Sequence, residues 1–294
     1  MSARIFLARA FRDGETLALP PAESRHLQVR RLQPGASVTL FNGDDGLEWR
    51  AAITRIGRSD VELRIDGSSL PPLRELPIAV TLALGVPANE RMDNVVEKAT
   101  ELGVAAIQPL LCERSVVRLS GERAEARRRH WQAVAASASE QCGRVRVPRI
   151  DLPMPFGAWL ARRCIDPAGA GTGRRGARVA EPVAQQPDRR AVIDPSKAEA
   201  EQHGPDRRFV LSLDSAALPC DTLVAAATPP LDSMLVLSGP EGGLADDEEA
   251  SAVAAGFTRV SLGPRILRAD TAPLAFLAWL AVAHGRAQAT IPPR

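Results

Sequence analysis

Two segments late in the chain carry residue types suited to holding a ligand. Leu235-Val236-Leu237, a short apolar run of strand type, leads into Ser238-Gly239-Pro240-Glu241-Gly242-Gly243-Leu244. Further on, Ser261-Leu262 leads into Gly263-Pro264-Arg265-Ile266-Leu267-Arg268-Ala269-Asp270-Thr271-Ala272. Glycines at the carboxyl end of a strand let a ligand approach the backbone closely, and exposed N–H groups there can bind it. One such loop also serves as a tight strand-to-helix turn. Two of them, from consecutive strand–helix units, point to one shared cleft.

The surrounding pattern supplies elements able to position those loops. Ile78 to Leu84 and Ala105 to Leu111 are continuous apolar runs of strand length, and Phe209 to Leu213, Ser233 to Leu237 and Arg259 to Leu262 are further strands. Helical spacing appears in Arg91 to Leu102, with Met92, Val95, Val96, Ala99 and Leu102 on one face, and in Glu122 to Cys142, with Trp131, Val134, Ala135 and Ala138. Asp246 to Ala255 and Thr271 to His284 complete the helices. Such alternation predicts an α/β domain with a mostly parallel sheet. Before it, Arg4 to Leu7, Ser37 to Phe41, Leu47 to Ile56 and Val61 to Ile65 are short β-favouring runs, interrupted by one helix over Glu23 to Leu32, the pattern of a small β-barrel. Gly67-Ser68-Ser69-Leu70-Pro71-Pro72 reads as an extended connection. The expected division is a barrel over 1–70, a linker over 71–77 and the α/β domain over 78–294.

From 165 to 208, Gly, Pro, Ala, Arg and Gln dominate without an apolar period, as in a mobile insertion. Its Gly169-Ala170-Gly171-Thr172-Gly173 imitates a dinucleotide-type loop but lacks the strand before it and the helix after it.

Composition narrows the function classes. The 294 residues, 45% apolar and 24% charged, describe an ordinary globular chain of two domains, with no apolar run long enough for a membrane span. The N-terminus shows no secretory pattern, so a cytoplasmic protein is expected. Cys112, Cys142, Cys164 and Cys220 are far apart, and His26, His130, His203 and His284 have no metal-ligand spacing, so no metal is assigned. The net charge of +2 conceals an asymmetry. Of 37 basic residues only Lys98 and Lys197 are lysine; nine arginines face four acids between Glu113 and Arg149, while Pro240 to Phe257 holds five acids and no base. A local arginine band suits a polyanion even when the net charge does not, although codon bias also enriches arginine. The acids opening the Asp246 helix sit where its macrodipole favours them.

Gly239-Pro240-Glu241-Gly242-Gly243 followed by Leu262-Gly263-Pro264-Arg265-Ile266-Leu267-Arg268-Ala269-Asp270-Thr271-Ala272 resembles the C-terminal signature of the SPOUT methyltransferases, specifically the RsmE type that methylates N3 of a uridine in 16S ribosomal RNA. Supporting motifs are Glu90-Arg91-Met92-Asp93 through Gly103, Pro109-Leu110 through Glu113-Arg114-Ser115, Ser139-Glu140-Gln141-Cys142-Gly143-Arg144 through Val147-Pro148, and His26-Leu27 to Pro34-Gly35. Two departures stand out: the insertion is longer than usual for the family, and Asp270 stands where Glu is usual.

The resemblance implies a C-terminal SPOUT α/β trefoil-knot domain with a small N-terminal PUA-like β-barrel that binds RNA. It also implies S-adenosylmethionine in the knot, a homodimer, and a substrate in the decoding region of the assembled small ribosomal subunit. Carried over by residue, the cofactor pocket uses Leu237, Ser238, Gly239, Glu241, Gly242, Gly243, Leu262, Gly263, Arg265, Ile266, Leu267 and Arg268. Leu262, Ile266 and Leu267 suit the adenine. Arg268 is placed to polarise a uracil carbonyl, with Asp270 or Glu241 to take the N3 proton. A loop ion pair between Arg268 and Asp270, and a helix N-cap role for Glu241, are the structural alternatives. RNA contacts are assigned to Arg4, Arg31, Arg91, Arg114 and Arg144, with part of the 123–129 cluster. The final helix, apolar on almost every side, suits either a dimer face or a buried core. Competing functions are another SPOUT reaction, on tRNA or a 2′-hydroxyl, or RNA binding without catalysis.

Overall fold

The computed structural model describes residues 2–72, 74–88, 91–164, 207–222 and 233–289. Most of the 165–208 insertion, with the Gly169–Gly173 sequence, lies outside them, as does Glu90.

The N-terminal part is a five-stranded sheet of β1 (Ala3–Phe6), β2 (Thr16–Ala18), β3 (Ser37–Phe41), β4 (Glu48–Ile56) and β5 (Val61–Ser69), in the order β1-β3-β4-β5-β2. β1 pairs β3 in parallel and the other pairs are antiparallel. Alternation decides which face is inside: Val61, Leu63 and Ile65 are buried while Glu62 and Arg64 point outward. Helix α1 (Pro21–Val29) packs Leu27 against this core. It starts two residues earlier than its apolar pattern predicts, because a proline is tolerated at the first helical position. It also ends earlier, before Arg31, whose φ of 54° is left-handed. Gly67, Ser68 and Ser69 belong to β5 rather than to a linker; Gly67 adopts φ 107°, which permits the strand to continue through an irregular pairing with β4.

The second sheet is parallel throughout. It contains β6 (Ala79–Gly85), β7 (Ala106–Leu111), β8 (Arg149–Ile150), β10 (Arg207–Leu211), β11 (Leu218–Pro219), β12 (Ser233–Ser238) and β13 (Thr258–Ser261), in the order β11-β13-β10-β12-β6-β7-β8, with β9 (Met154–Pro155) also on β7. Helices α2 (Arg91–Glu101), α3 (Gly121–Cys142) and α6 (Thr271–Ala289) cover one side, where Val80, Leu82 and Leu84 meet Val95, Trp131 and Phe276. Helices α4 (Phe156–Cys164) and α5 (Asp246–Ala254) cover the other, where Ala83, Val210, Leu235 and Leu237 meet Trp159 and Phe257. Burial on both faces explains why these strands are unbroken apolar runs. The chain builds outward from β6 to β8, then returns to insert β12 between β10 and β6. Ligands bind at such reversals, beyond the carboxyl ends of the strands.

Candidate active site

The carboxyl ends of β10, β12 and β13 open into a cleft of about 460 Å³, within the usual range for small-molecule sites. The Ser238–Leu244 loop forms one wall and the Leu262–Leu267 segment another. Local sterics explain the glycines. A Cβ on Gly239 would lie 2.7 Å from the Leu244 nitrogen, so the loop folds back on itself only with glycine there. A Cβ on Gly85 would lie 2.5 Å from the Pro240 ring, because the end of β6 packs directly against this loop.

Most of the expected cofactor residues meet here: Ser238, Gly239, Glu241, Gly242, Gly243, Leu262, Gly263, Arg265, Ile266 and Leu267 all line the cleft. Leu237 does not. It is wholly buried between sheet and helices, near the end of the strand that leads into the loop. Arg268 and Asp270 sit just beyond the lining, flanking Ala269, which does line it. The ion pair weighed for Arg268 with Asp270 is absent among the described residues; the Arg268 carbonyl instead accepts the N–H groups of Thr271 and Ala272 as α6 begins. Among the described residues Asp270 accepts a single hydrogen bond, a long one of 3.4 Å from the Thr271 hydroxyl.

Glu241 is held differently. One carboxylate oxygen accepts the Ala88 N–H at 2.7 Å and stands 3.5 Å from Arg91. It therefore bridges two segments rather than capping α5, at whose start the Glu248 side chain accepts the N–H of the N-cap residue Ala245 at 3.0 Å and also that of Glu113, from the segment after β7, at 2.9 Å.

The arginines assigned to RNA divide sharply. Arg31 is exposed and Arg91 half-exposed. Arg114 is engaged with the protein: it donates to the carbonyls of Gly242 and Leu244, at 3.3 and 3.0 Å, and faces Asp246 at 3.3 Å, pinning the cleft loop. Arg4 pairs with Glu48, donates to the Arg144 carbonyl at 3.0 Å and lies over the Phe41 ring. Arg144 corrects its expectation outright. It is 4% exposed, pairs with Glu75 at 2.6 Å and donates to the carbonyls of Thr100 and Val104 at 2.9 and 2.8 Å. These contacts are all with the protein's own groups, which suits a structural part rather than contact with RNA. On α3, Arg123, Arg127 and Arg129 are exposed.

One part of the cleft has no counterpart among the expected residues. Ser212 donates to Glu249 at 2.8 Å, Arg259 donates to the same carboxylate at 2.6 Å, and Asp214 lies 3.7 Å from Arg259. All four line the cleft, with Leu211 and Leu213. The detectable signal was Asp214-Ser215, a turn following a third strand of the same sheet. At Cys112, nearby in the fold, the thiolate is disfavoured: burial, and then Glu248, push the thiol up to about 12 against an opposing hydrogen bond with Ser115.

A family model described as an RNA methyltransferase domain matches residues 74–168 and 184–281, and one described as an RNA methyltransferase PUA domain matches 19–66. A ribosomal RNA small subunit methyltransferase E from Synechocystis is 31% identical over 90% of this chain and 72% of its own. The chain belongs to the methyltransferase E family. The family's solved members share the fold: one from Neisseria gonorrhoeae, bound to S-adenosyl methionine, matches with a TM-score of 0.74 at 29% identity, covering 96% of this chain and 98% of the other. A methyltransferase from Legionella pneumophila, in complex with the same cofactor, gives 0.76 at 28% identity over 96% and 98%. The methyltransferase E architecture is thus an N-terminal PUA-like sheet joined to a SPOUT α/β domain, as the motifs imply.

Proposed function

We propose that this protein transfers a methyl group from S-adenosylmethionine to N3 of a uridine in 16S ribosomal RNA, in the decoding region of the small subunit, acting in the cytoplasm as a homodimer. The observation that carries this is the cleft built by the Ser238–Leu244 and Leu262–Leu267 loops in a chain of the methyltransferase E family. Nothing in the comparisons favours tRNA, a 2′-hydroxyl or a non-catalytic role.

The residues present fit the cofactor. Ile266 is 82% exposed at the cleft and Leu213 68%, an unusual placement for large apolar side chains that a flat heterocycle would cover. Leu262 and Leu267 add apolar wall, and Gly263, at φ 100°, shapes backbone that a side chain would strain. When bound, S-adenosylmethionine supplies a methyl group on a sulfonium, an electrophile needing no metal or further activation. What remains for the protein is to align the uridine and remove its imide proton. Arg268, exposed and unpaired among the described residues, polarises a uracil carbonyl and stabilises the anion formed at N3. Asp270 accepts the proton, its carboxylate being engaged, among the described residues, by the Thr271 hydroxyl alone. The alternative acceptor, Glu241, already holds the Ala88 N–H and faces Arg91, which suits a role in shaping the loop. Arg31, Arg91 and the exposed Arg123, Arg127 and Arg129 offer the phosphate contacts. α6, with Val282 exposed beside the half-buried Trp279, offers the apolar face for the second subunit.

Nucleoside mass spectrometry of 16S ribosomal RNA from a strain lacking the gene tests the substrate. N3-methyluridine disappears and returns with the wild-type gene; its persistence overturns the proposal. Asp270→Asn should lower kcat at saturating cofactor far more than Glu241→Gln does, the reverse result exchanging their roles.

A further inference from the structure

The Ser139–Arg144 segment takes no part in the cleft, yet it ties three separate pieces of the molecule together. From the N-terminal sheet, the Phe6 N–H donates to Glu140 at 2.8 Å and Arg4 donates to the Arg144 carbonyl. From the connection between the domains, Arg74 donates to the Gly143 carbonyl at 3.0 Å and faces Glu48 at 3.6 Å. Glu75 holds the Arg144 guanidinium and also accepts the Arg146 N–H at 3.3 Å. Arg144 then reaches into the α/β domain, to the carbonyl of Thr100 in the last turn of α2 and that of Val104 just after the helix. Space at the junction is tight: Gly143 ends α3 at φ 85°, and a Cβ there would lie 2.5 Å from Arg74.

Two domains joined by a short connection normally move relative to each other unless their interface is large and apolar. This junction is polar. A planar guanidinium buried against one carboxylate and two carbonyls satisfies its donors only in a narrow range of orientations, and removing one partner leaves a buried charge uncompensated.

We propose that this junction is a clamp that fixes the angle between the RNA-binding sheet and the methyl-donor cleft, and so selects which uridine of the bound RNA reaches the cleft. Glu140, Arg74 and Arg144 are positioning residues in this scheme. The selection of a uridine rests on the function proposed above; the fixed angle does not. It also accounts for the Ser139-Glu140-Gln141-Cys142-Gly143-Arg144 motif, which the chemistry of the cleft leaves without a role.

The test uses full-length protein carrying Arg74→Ala, Glu140→Ala or both, with Glu140→Gln as the conservative control, since its amide oxygen still accepts the Phe6 N–H. Arg144 is left intact so that the fold is preserved, which circular dichroism checks, and Arg74→Ala alone, at the half-exposed side, provides a mild variant. Small-angle scattering of the wild type should fit one domain arrangement, and that of the double variant several, with a larger radius of gyration. On small ribosomal subunits the double variant should show a KM raised tenfold or more and methyl groups on additional uridines. Its kcat should stay within twofold and its calorimetric cofactor affinity should be unchanged, with Glu140→Gln near wild type throughout. Unchanged scattering with wild-type site selection overturns the clamp, as does a loss that falls on cofactor affinity. If the wild type itself transfers no methyl group to the subunit, the proposed function fails, and scattering alone still decides whether the angle is fixed.

Discussion

Arg268 and Arg144 are the same side chain in two opposite situations. Arg268 stands exposed at the end of the cleft without an ion pair among the described residues, whereas Arg144 is buried with its donors held by Glu75, Thr100 and Val104. Both lie in short motifs containing glycine; Arg268 was a candidate for the cofactor pocket and catalysis, Arg144 for contact with RNA. What separates them is which partner satisfies the guanidinium: the fold does so at the junction, and at the cleft that capacity is open to a ligand. Composition and local motif reveal only that an arginine is present. Burial and partners decide whether it holds the molecule together or acts on something outside it.

Substitutions at the two positions should therefore fail in different ways. Arg144→Met leaves the Glu75 carboxylate and two carbonyls without their donor, and should lower stability by on the order of 3 kcal/mol. Urea denaturation reads this as a lower midpoint at constant slope, with cofactor affinity per folded molecule retained. Arg268→Ala should leave the midpoint unchanged within about 0.5 kcal/mol and reduce kcat on the order of a hundredfold. If Arg144→Met lost activity without losing stability, the contrast would collapse.

Two smaller effects sharpen it. Ile266→Ser removes apolar surface that only a bound ligand would cover, so the KM for S-adenosylmethionine should rise roughly fivefold to tenfold with no stability change. At the junction, burial is the main influence on Glu140; it raises the carboxyl above its ordinary range, against the Phe6 N–H bond, which lowers it. A carboxyl raised on folding contributes most stability below its unfolded value and loses that contribution as pH rises through the folded one. Glu140→Gln, which cannot ionise, should thus equal or exceed the wild type in thermal midpoint at neutral pH, the difference vanishing on acidification.

The cleft was far more legible than the junction. Strand–loop–helix units advertise themselves through an apolar run followed by Gly and Pro, so both loops could be located and most of their residues meet where expected. Short elements were harder: β2, β8, β9 and β11 are too brief to show a period, and α4 begins at Phe156 after two prolines in an apolar stretch that suits helix and strand alike. The Ser212–Asp214–Glu249–Arg259 wall escaped because its members come from three elements brought together only by the strand order. Arg144 and Glu75 are 69 residues apart, and nothing local marks Glu75 as its partner.

Hydrogen exchange with and without S-adenosylmethionine tests the contrast between cleft and junction most directly. Added cofactor should slow exchange in peptides covering Leu237–Leu244 and Leu262–Arg268, while peptides covering Ser139–Val147 should be strongly protected beforehand and unchanged by it. Cofactor protection elsewhere with none at these loops would contradict the account, as would rapid exchange at the junction in the free protein.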